Sequence, residues 1–514
     1  MKKKVISILL TTAMAVSMLT GCGSGRDNAS DSGGNNSSAQ SESGKDEIVT
    51  LKWYMLQSTV AADTDKVIEA LNEYTREKIG VEIDYTIMNN ADYQEKMPTL
   101  INSGEYFDIC FTSNWAVDYL SFISKDAFKD ITDLLPEYAK ETYDLIPEAE
   151  WDAVSVNGSI YGVPAYKELG SQSGIIVNND MATEFGIDLS TVKTLEDYSA
   201  VLATVKEKTE GQDVIGIAGS GKDFDLAIPY ESLTGSKDLP GASAASEYGY
   251  FEGEEEVFNQ YATQEYMDYC KMMREWYTNS YTPKDPINYG SDATLRDNDF
   301  KNGKLFSYFI TYAPGYVDTE EARSGHDVTY IPLYDPLFET SSAMGGLMAI
   351  SSASDYPEKA MEFINLLNTD IYVGTLIRHG IEGEHYTAVG DDRVDRTLGG
   401  TIDPSENGYD YVYGWQFGSV FNQKWDISYP ENIVEQFEEF NNSAITAPHV
   451  GFSLDTTPVE TEIAALTGTY EEYGPALESG MMDPEEVMPQ FLDALEANGV
   501  EKLLEEIRTQ LAAE

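Results

Sequence analysis

Residues 51–87 run strand, helix, strand with no hairpin turn between them, and that order leaves few folds open. "LKWYM" (Leu51 to Met55) is a short apolar run. Val67, Ile68, Leu71 and Tyr74 then recur at helical spacing, Gly80 supplies a stop, and Val81, Ile83, Tyr85 and Ile87 alternate as a strand. Two strands joined through a helix lie parallel, so an α/β fold is predicted, with helices on the faces of a mainly parallel sheet. The rhythm repeats in "YFDICF" from Tyr106, "GIIVNN" from Gly174, "VIGIAG" from Val214 and "LMAIS" from Leu347. Helices are expected from Thr194 and from Pro357, where proline sits in a first turn. Asp483 caps a further helix whose apolar stripe is Val487, Met488, Phe491, Leu492 and Leu495.

At the other end of the logic, Lys2, Lys3 and Lys4 precede an apolar run from Val5 to Leu19 and then small residues, the three parts of a secretory signal over residues 1–21. The run is short for a membrane span, and no other stretch of the chain is apolar for about 18 residues. The mature chain is therefore expected to be soluble and outside the cytoplasm. Leu19-Thr20-Gly21-Cys22 resembles a bacterial lipobox, which implies cleavage before Cys22 and a diacylglyceryl thioether on its sulfur. Residues 22–46 offer almost no apolar side chain to offset the entropy of ordering them. They read as a tether with a reach on the order of 25 to 30 Å. The expected location is the extracytoplasmic face of the cell membrane, held by lipid.

Lysine and arginine number 33 against 89 aspartates and glutamates, a formal charge of −56. Phosphates and anionic headgroups would be repelled, so a nucleic-acid partner is excluded and a neutral or cationic ligand is favoured. Cys110 and Cys270 stand far apart in a strand and a helix and are expected as free buried thiols.

Several motifs invite a chemical reading and fail it. Gly216 to Asp223 nearly matches a phosphate loop, but Asp223 stands where a hydroxyl should meet Mg²⁺. Asp403, Ser405, Asn407 and Gly408 imitate the front of a calcium loop, yet the twelfth position is Gly414 rather than a glutamate. His326, His379, His385 and His449 form no HExxH pair, and no GxSxG elbow occurs. No metal and no cofactor are expected.

Asn157-Gly158-Ser159-Ile160-Tyr161-Gly162-Val163-Pro164, followed by Gly174 to Asp180, resembles the crossover region of extracellular solute-binding proteins of carbohydrate ABC importers. Gly345 to Asp370 is similar to that family's returning strand and helix, and Tyr106 to Trp115 to the strand whose end loop faces ligand. His379 to Tyr386 and the last helix resemble a large-lipoprotein subgroup. The resemblance implies a two-lobe periplasmic-binding-protein-like fold of type II, with ligand in the cleft. Residues 47–166 and 341–387 would form one lobe, and 167–340 with 388–514 the other. It also implies ABC permease subunits as partners and capture without catalysis, so the chain is not expected to be an enzyme.

A sugar presents flat C–H faces and a rim of hydroxyls, so its receptor needs aromatic planes beside polar groups. On position in the predicted elements and on the resemblance, ligand contact is expected from Trp53, Tyr54, Asp108, Trp115, Glu168, Trp276, Tyr312 and Trp415. The function expected is that of a monomeric, membrane-anchored lipoprotein that binds an oligosaccharide. A secreted glycoside hydrolase and a surface adhesin are the alternatives.

Overall fold

The computed structural model describes residues 48–57, 60–219, 257–291, 293–411, 414–447, 450–452 and 454–513, with the backbone of the short strands Ser236–Asp238 and Tyr248–Phe251. The leader, Cys22, the tether, Ser220 to Asp223 and His449 lie outside the described residues.

The opening unit forms as its pattern dictates. Val49–Leu56 (β1) and Val81–Met88 (β2) pair in parallel, Val49 opposite Val81 and Leu56 opposite Met88. Thr64–Ile79 (α1) joins them, burying Val67 and Leu71 and ending on Gly80, whose φ of 69° suits glycine. Ile109–Thr112 (β3) pairs parallel to the other side of β1. After Glu148–Val154 (α2), Gly162–Pro164 (β4) ends the first pass through this sheet.

The chain then crosses to a second sheet made of Ser173–Asn178 (β5), Ile215–Ala218 (β6), Leu305–Thr311 (β7) and Val328–Pro332 (β8), in the order β8-β5-β7-β6. Leu195–Lys208 (α3), closed by a Thr194/Asp197 capping box, and Gln264–Thr278 (α4) pack on it. From β8 the chain returns as Leu347–Ile350 (β9), which slots between β3 and β4 and completes a five-stranded sheet, β2-β1-β3-β9-β4. Pro357–Thr369 (α5), with Pro357 at its start, and Ile371–His379 (α6) follow. The last helices are Ile433–Ser443 (α7), Glu460–Glu478 (α8), Pro484–Ala497 (α9) and Val500–Leu511 (α10); the Asp483 carboxylate caps α9.

Each sheet contains one strand that runs against the rest, β9 in the first and β5 in the second. The first sheet so has two parallel and two antiparallel pairings, and the second has one parallel and two antiparallel, fewer parallel pairs than the sequence predicts. The cause is topological. Thr112, Pro164, Thr311 and Pro332 end their strands at the edge where the crossovers leave, whereas β5 and β9 arrive from a crossover and must start there. The crossing segments support one another: Ser171 bridges Leu337, and Tyr166 bridges Ser419.

Among the described residues two smaller apolar clusters accompany two large cores. One gathers Trp53, Phe111, Leu347 and Phe363 under the first sheet and also takes Tyr409, Tyr411 and Phe417 from late in the chain. The other gathers Ile175, Tyr198, Trp276 and Phe306 and takes the residues from Phe452 to Ile507. The result is the two-lobe, periplasmic-binding-protein-like architecture. No helix among the described residues is long and apolar enough to cross a membrane.

Candidate functional site

Open α/β sheets bind ligands beyond the carboxyl ends of their strands, and here both sheets direct those ends at the crossovers. Trp115 lies just past the end of β3. Its loop is tied by Ser113, whose Oγ accepts from Trp115 N at 3.2 Å and Ala116 N at 2.8 Å. The Thr112 hydroxyl donates to Val117 O. Val117 has φ of 51°, a left-handed conformation costly for a β-branched residue, so these bonds hold a strained loop. Trp115 Nε1 donates to Gly345 O at 3.0 Å, and the residue keeps 42% of its surface exposed. Its ring centroid is 6.2 Å from that of Trp415, inclined by 47°, and both rings lean on Phe111 at 5.7 and 6.3 Å. Gly346 sits beneath them, where a Cβ would come within 3.3 Å of the Phe111 ring and 3.5 Å of the Trp415 ring.

The first crossover contributes polar groups. Lys167 and Glu168 form an ion pair, each about four-fifths buried. The Asn441 amide, from α7, accepts from Leu169 N at 2.9 Å and donates to Lys167 O at 3.1 Å, fixing this stretch of backbone. Beneath it Glu150 is buried on α2 with Oε1 unpartnered; burial pushes its carboxyl up to about 8. Tyr166 packs on Phe421, with centroids 5.0 Å apart. On the second sheet Tyr312, at the end of β7, stacks on Tyr330 at 4.4 Å and 18°. Burial raises the Tyr312 hydroxyl pKa, and Tyr312 N donates to Gln172 O at 2.7 Å. A Cβ on Gly174 would lie 2.3 Å from Ile331 O and 2.5 Å from the Tyr330 ring, so the bare backbone there is required.

Of the residues singled out in the sequence, Trp115, Trp415, Glu168 and Tyr312 lie at this edge or in the crossing segments. The others do not, and these are corrections. Trp53 is mid-strand, its ring wholly buried against Tyr85, Phe363 and Phe417. Asp108 precedes β3, at the opposite edge of the sheet. There its buried carboxylate accepts from Lys52 N at 2.8 Å, Tyr106 Oη at 2.7 Å and Ser354 Oγ at 2.6 Å. Tyr54 packs edge-on to Phe107 on that same side, half-buried, its hydroxyl pKa raised by burial. Trp276 is inside α4 rather than in a loop, buried and donating to Ser199 Oγ at 2.7 Å. Tyr166 and Tyr330 at this edge were not singled out; standing within two residues of Pro164 and Pro332, they carried a positional signal. Asn441 carried none.

Cys110 and Cys270 are free and buried, as expected. Asp403 accepts from Ser405 N at 2.9 Å and Ser405 Oγ at 2.6 Å, the bonds of a polar turn. No cluster of three or more His, Cys, Asp and Glu among the described residues is placed to hold a metal ion.

Comparison with known proteins agrees with the two-lobe fold. Residues 69–372 match the family described as bacterial extracellular solute-binding protein, and residues 448–513, which include α8 to α10, match a domain of unknown function. A carbohydrate ABC transporter substrate-binding protein of Streptococcus pneumoniae is 28% identical over 455 residues, covering 87% of each chain. Lipoprotein LipO of Bacillus subtilis is 23% identical over 415 residues, 75% of this chain and 74% of that one. The crystal structure of the N-glycan transport solute binding protein NgtS of S. pneumoniae in complex with Man5GlcNAc superimposes with a TM-score of 0.72. It is 26% identical and covers 90% of this chain and 97% of that chain.

Proposed function

Because the chain belongs to the bacterial extracellular solute-binding proteins, we propose that it captures an oligosaccharide between its lobes and delivers it to the permease subunits of an ABC importer. The observation that carries this reading is the pair of indole rings at the end of β3, one of them substantially exposed beside a crossover. Inclined aromatic planes suit the C–H faces of successive sugar rings, and the polar groups of Glu168 and Tyr312 supply partners for hydroxyls. The glycan ligand of NgtS and the carbohydrate relative support the ligand class.

The mechanism is capture. Ligand contacts made to both lobes at once favour the closed state, and the ligand leaves unaltered. Residues 47–166 with 341–387 would form one lobe and 167–340 with 388–514 the other; the packing of Tyr409, Tyr411 and Phe417 in the first core supports extending the first lobe's return to about residue 417. Cys22 would carry the lipid that holds the body at the outer face of the membrane; the relative named as a lipoprotein supports this.

Calorimetric titration of a panel of neutral oligosaccharides, followed in parallel by tryptophan fluorescence, tests the reading. Binding with recovery of intact ligand is expected. Hydrolysed ligand, or no binding across the panel, would refute it.

A further inference from the structure

Trp415 stands on a single 3₁₀ turn, Gly414–Gln416, outside the strands and long helices of both lobes. A turn this short makes too few internal hydrogen bonds to fix the direction of a large ring. The side chain that follows does not help, because Gln416 is fully buried with neither Oε1 nor Nε2 partnered.

The turn is gripped instead from α6. Arg378 Nε donates to Gly414 O at 3.0 Å and Nη2 to Phe417 O at 2.8 Å, so one planar guanidinium holds the backbone on both sides of Trp415. Its third bond, from Nη1, is to Gly374 O at 3.4 Å within α6, and the guanidinium lies over the Phe417 ring with 4.4 Å to the centroid. α6 is itself a fixed reference: a Cβ on Gly374 would fall 1.8 Å from Asn422 O, so helix and neighbouring segment are in direct backbone contact. Arg378 is buried, and burial pushes its pKa down to about 10, which still leaves it charged at neutral pH. Its hydrogen bonds go to carbonyls alone, a costly way to satisfy a buried cation, yet a geometrically demanding one.

We infer that Arg378 is a positioning residue of the ligand site: by gripping Gly414 and Phe417 it sets the Trp415 ring at its inclination to Trp115, the pair on which a sugar is held. The last step rests on the saccharide-binding reading; the geometric step does not.

The test separates the two. Indole rings this near and inclined couple excitonically, giving paired bands of opposite sign in far-ultraviolet circular dichroism. The difference between wild type and Trp115→Phe isolates that signal. Arg378→Lys keeps the charge but loses the two-pronged fork; Arg378→Gln keeps a planar donor without charge and serves if the lysine variant does not fold. In a variant that unfolds in one cooperative transition, the coupled signal should fall by about half or more, and the dissociation constant for the tightest oligosaccharide of the panel should rise about tenfold. A signal of wild-type size would overturn the inference whatever happens to binding. A lost signal with affinity unchanged within about twofold would overturn the link to ligand. Should no glycan bind wild-type protein, the functional reading fails and the dichroism alone decides the positional claim.

Discussion

Replacing Glu150 by glutamine should make the protein more stable, and more so the higher the pH. Glu150 is 3% exposed, and its Oε1 meets no donor. Burial is the main cause that raises its carboxyl from 4.5 to about 8; Lys167 draws it down and Glu168 pushes it up. Below 4.5 both folded and unfolded chains carry the proton, and the group is neutral in each. Between 4.5 and about 8 the folded protein keeps a proton that the unfolded chain has released, so stability falls as pH rises. Above about 8 both are ionised and the full cost, roughly 5 kcal/mol, is in place. Glutamine keeps the shape and never ionises. Urea denaturation of wild type and Glu150→Gln at pH 5 and pH 9 cancels every other titration that the two share. The stability gap in favour of the variant should widen by about 4 kcal/mol between those conditions. A gap that stays constant with pH would mean that the Glu150 carboxyl titrates alike in the folded and unfolded chains, which would refute its retention of a proton on folding.

Asp108→Ala should cost about 2 to 4 kcal/mol in calorimetric unfolding, because three half-buried donors lose the buried carboxylate that accepts from them, while saccharide affinity stays unchanged. Trp115→Ala should do the reverse: stability within about 1 kcal/mol of wild type, since the ring is well exposed, and affinity down by about tenfold or more. Gly174→Ala should lower stability by about 2 to 4 kcal/mol, read as a drop in melting temperature, because its methyl group has no space beside Ile331 O and the Tyr330 ring. Cys22→Ala should move the protein from the membrane fraction to the medium and abolish incorporation of labelled palmitate.

The β-α-β opening and the capped helices were legible because each is a local pattern, apolar periodicity or a cap within a few residues, whereas the crossover after Pro164 was expected from the family resemblance. The fold class followed, since few architectures accommodate that order of elements. The direction of β5 and β9 was not legible, because it depends on which edge of the sheet the crossovers share. Tryptophan identity was a poor guide to the site for a related reason. Trp53 stands on β1 and Trp115 just past the end of β3, its neighbour in the sheet, yet one occupies a pleat facing the core and the other a half-exposed loop. The partner of Trp115, Trp415, comes from far along the chain, so only folding brings the two together. Arg378 was invisible for the same reason: its partners are backbone carbonyls, which every residue possesses.

The placement of β9 between β3 and β4 has a consequence for biosynthesis. A chain emerging from its amino terminus makes every strand of the second sheet by Pro332 but cannot close the first until Ile350 is available. The sheet begun earliest is therefore closed last, with the edge of β3 left unpaired while the strands of the second sheet are synthesised. Truncations that stop between those two points should be cleaved near β3 faster than chains extended past Ile350.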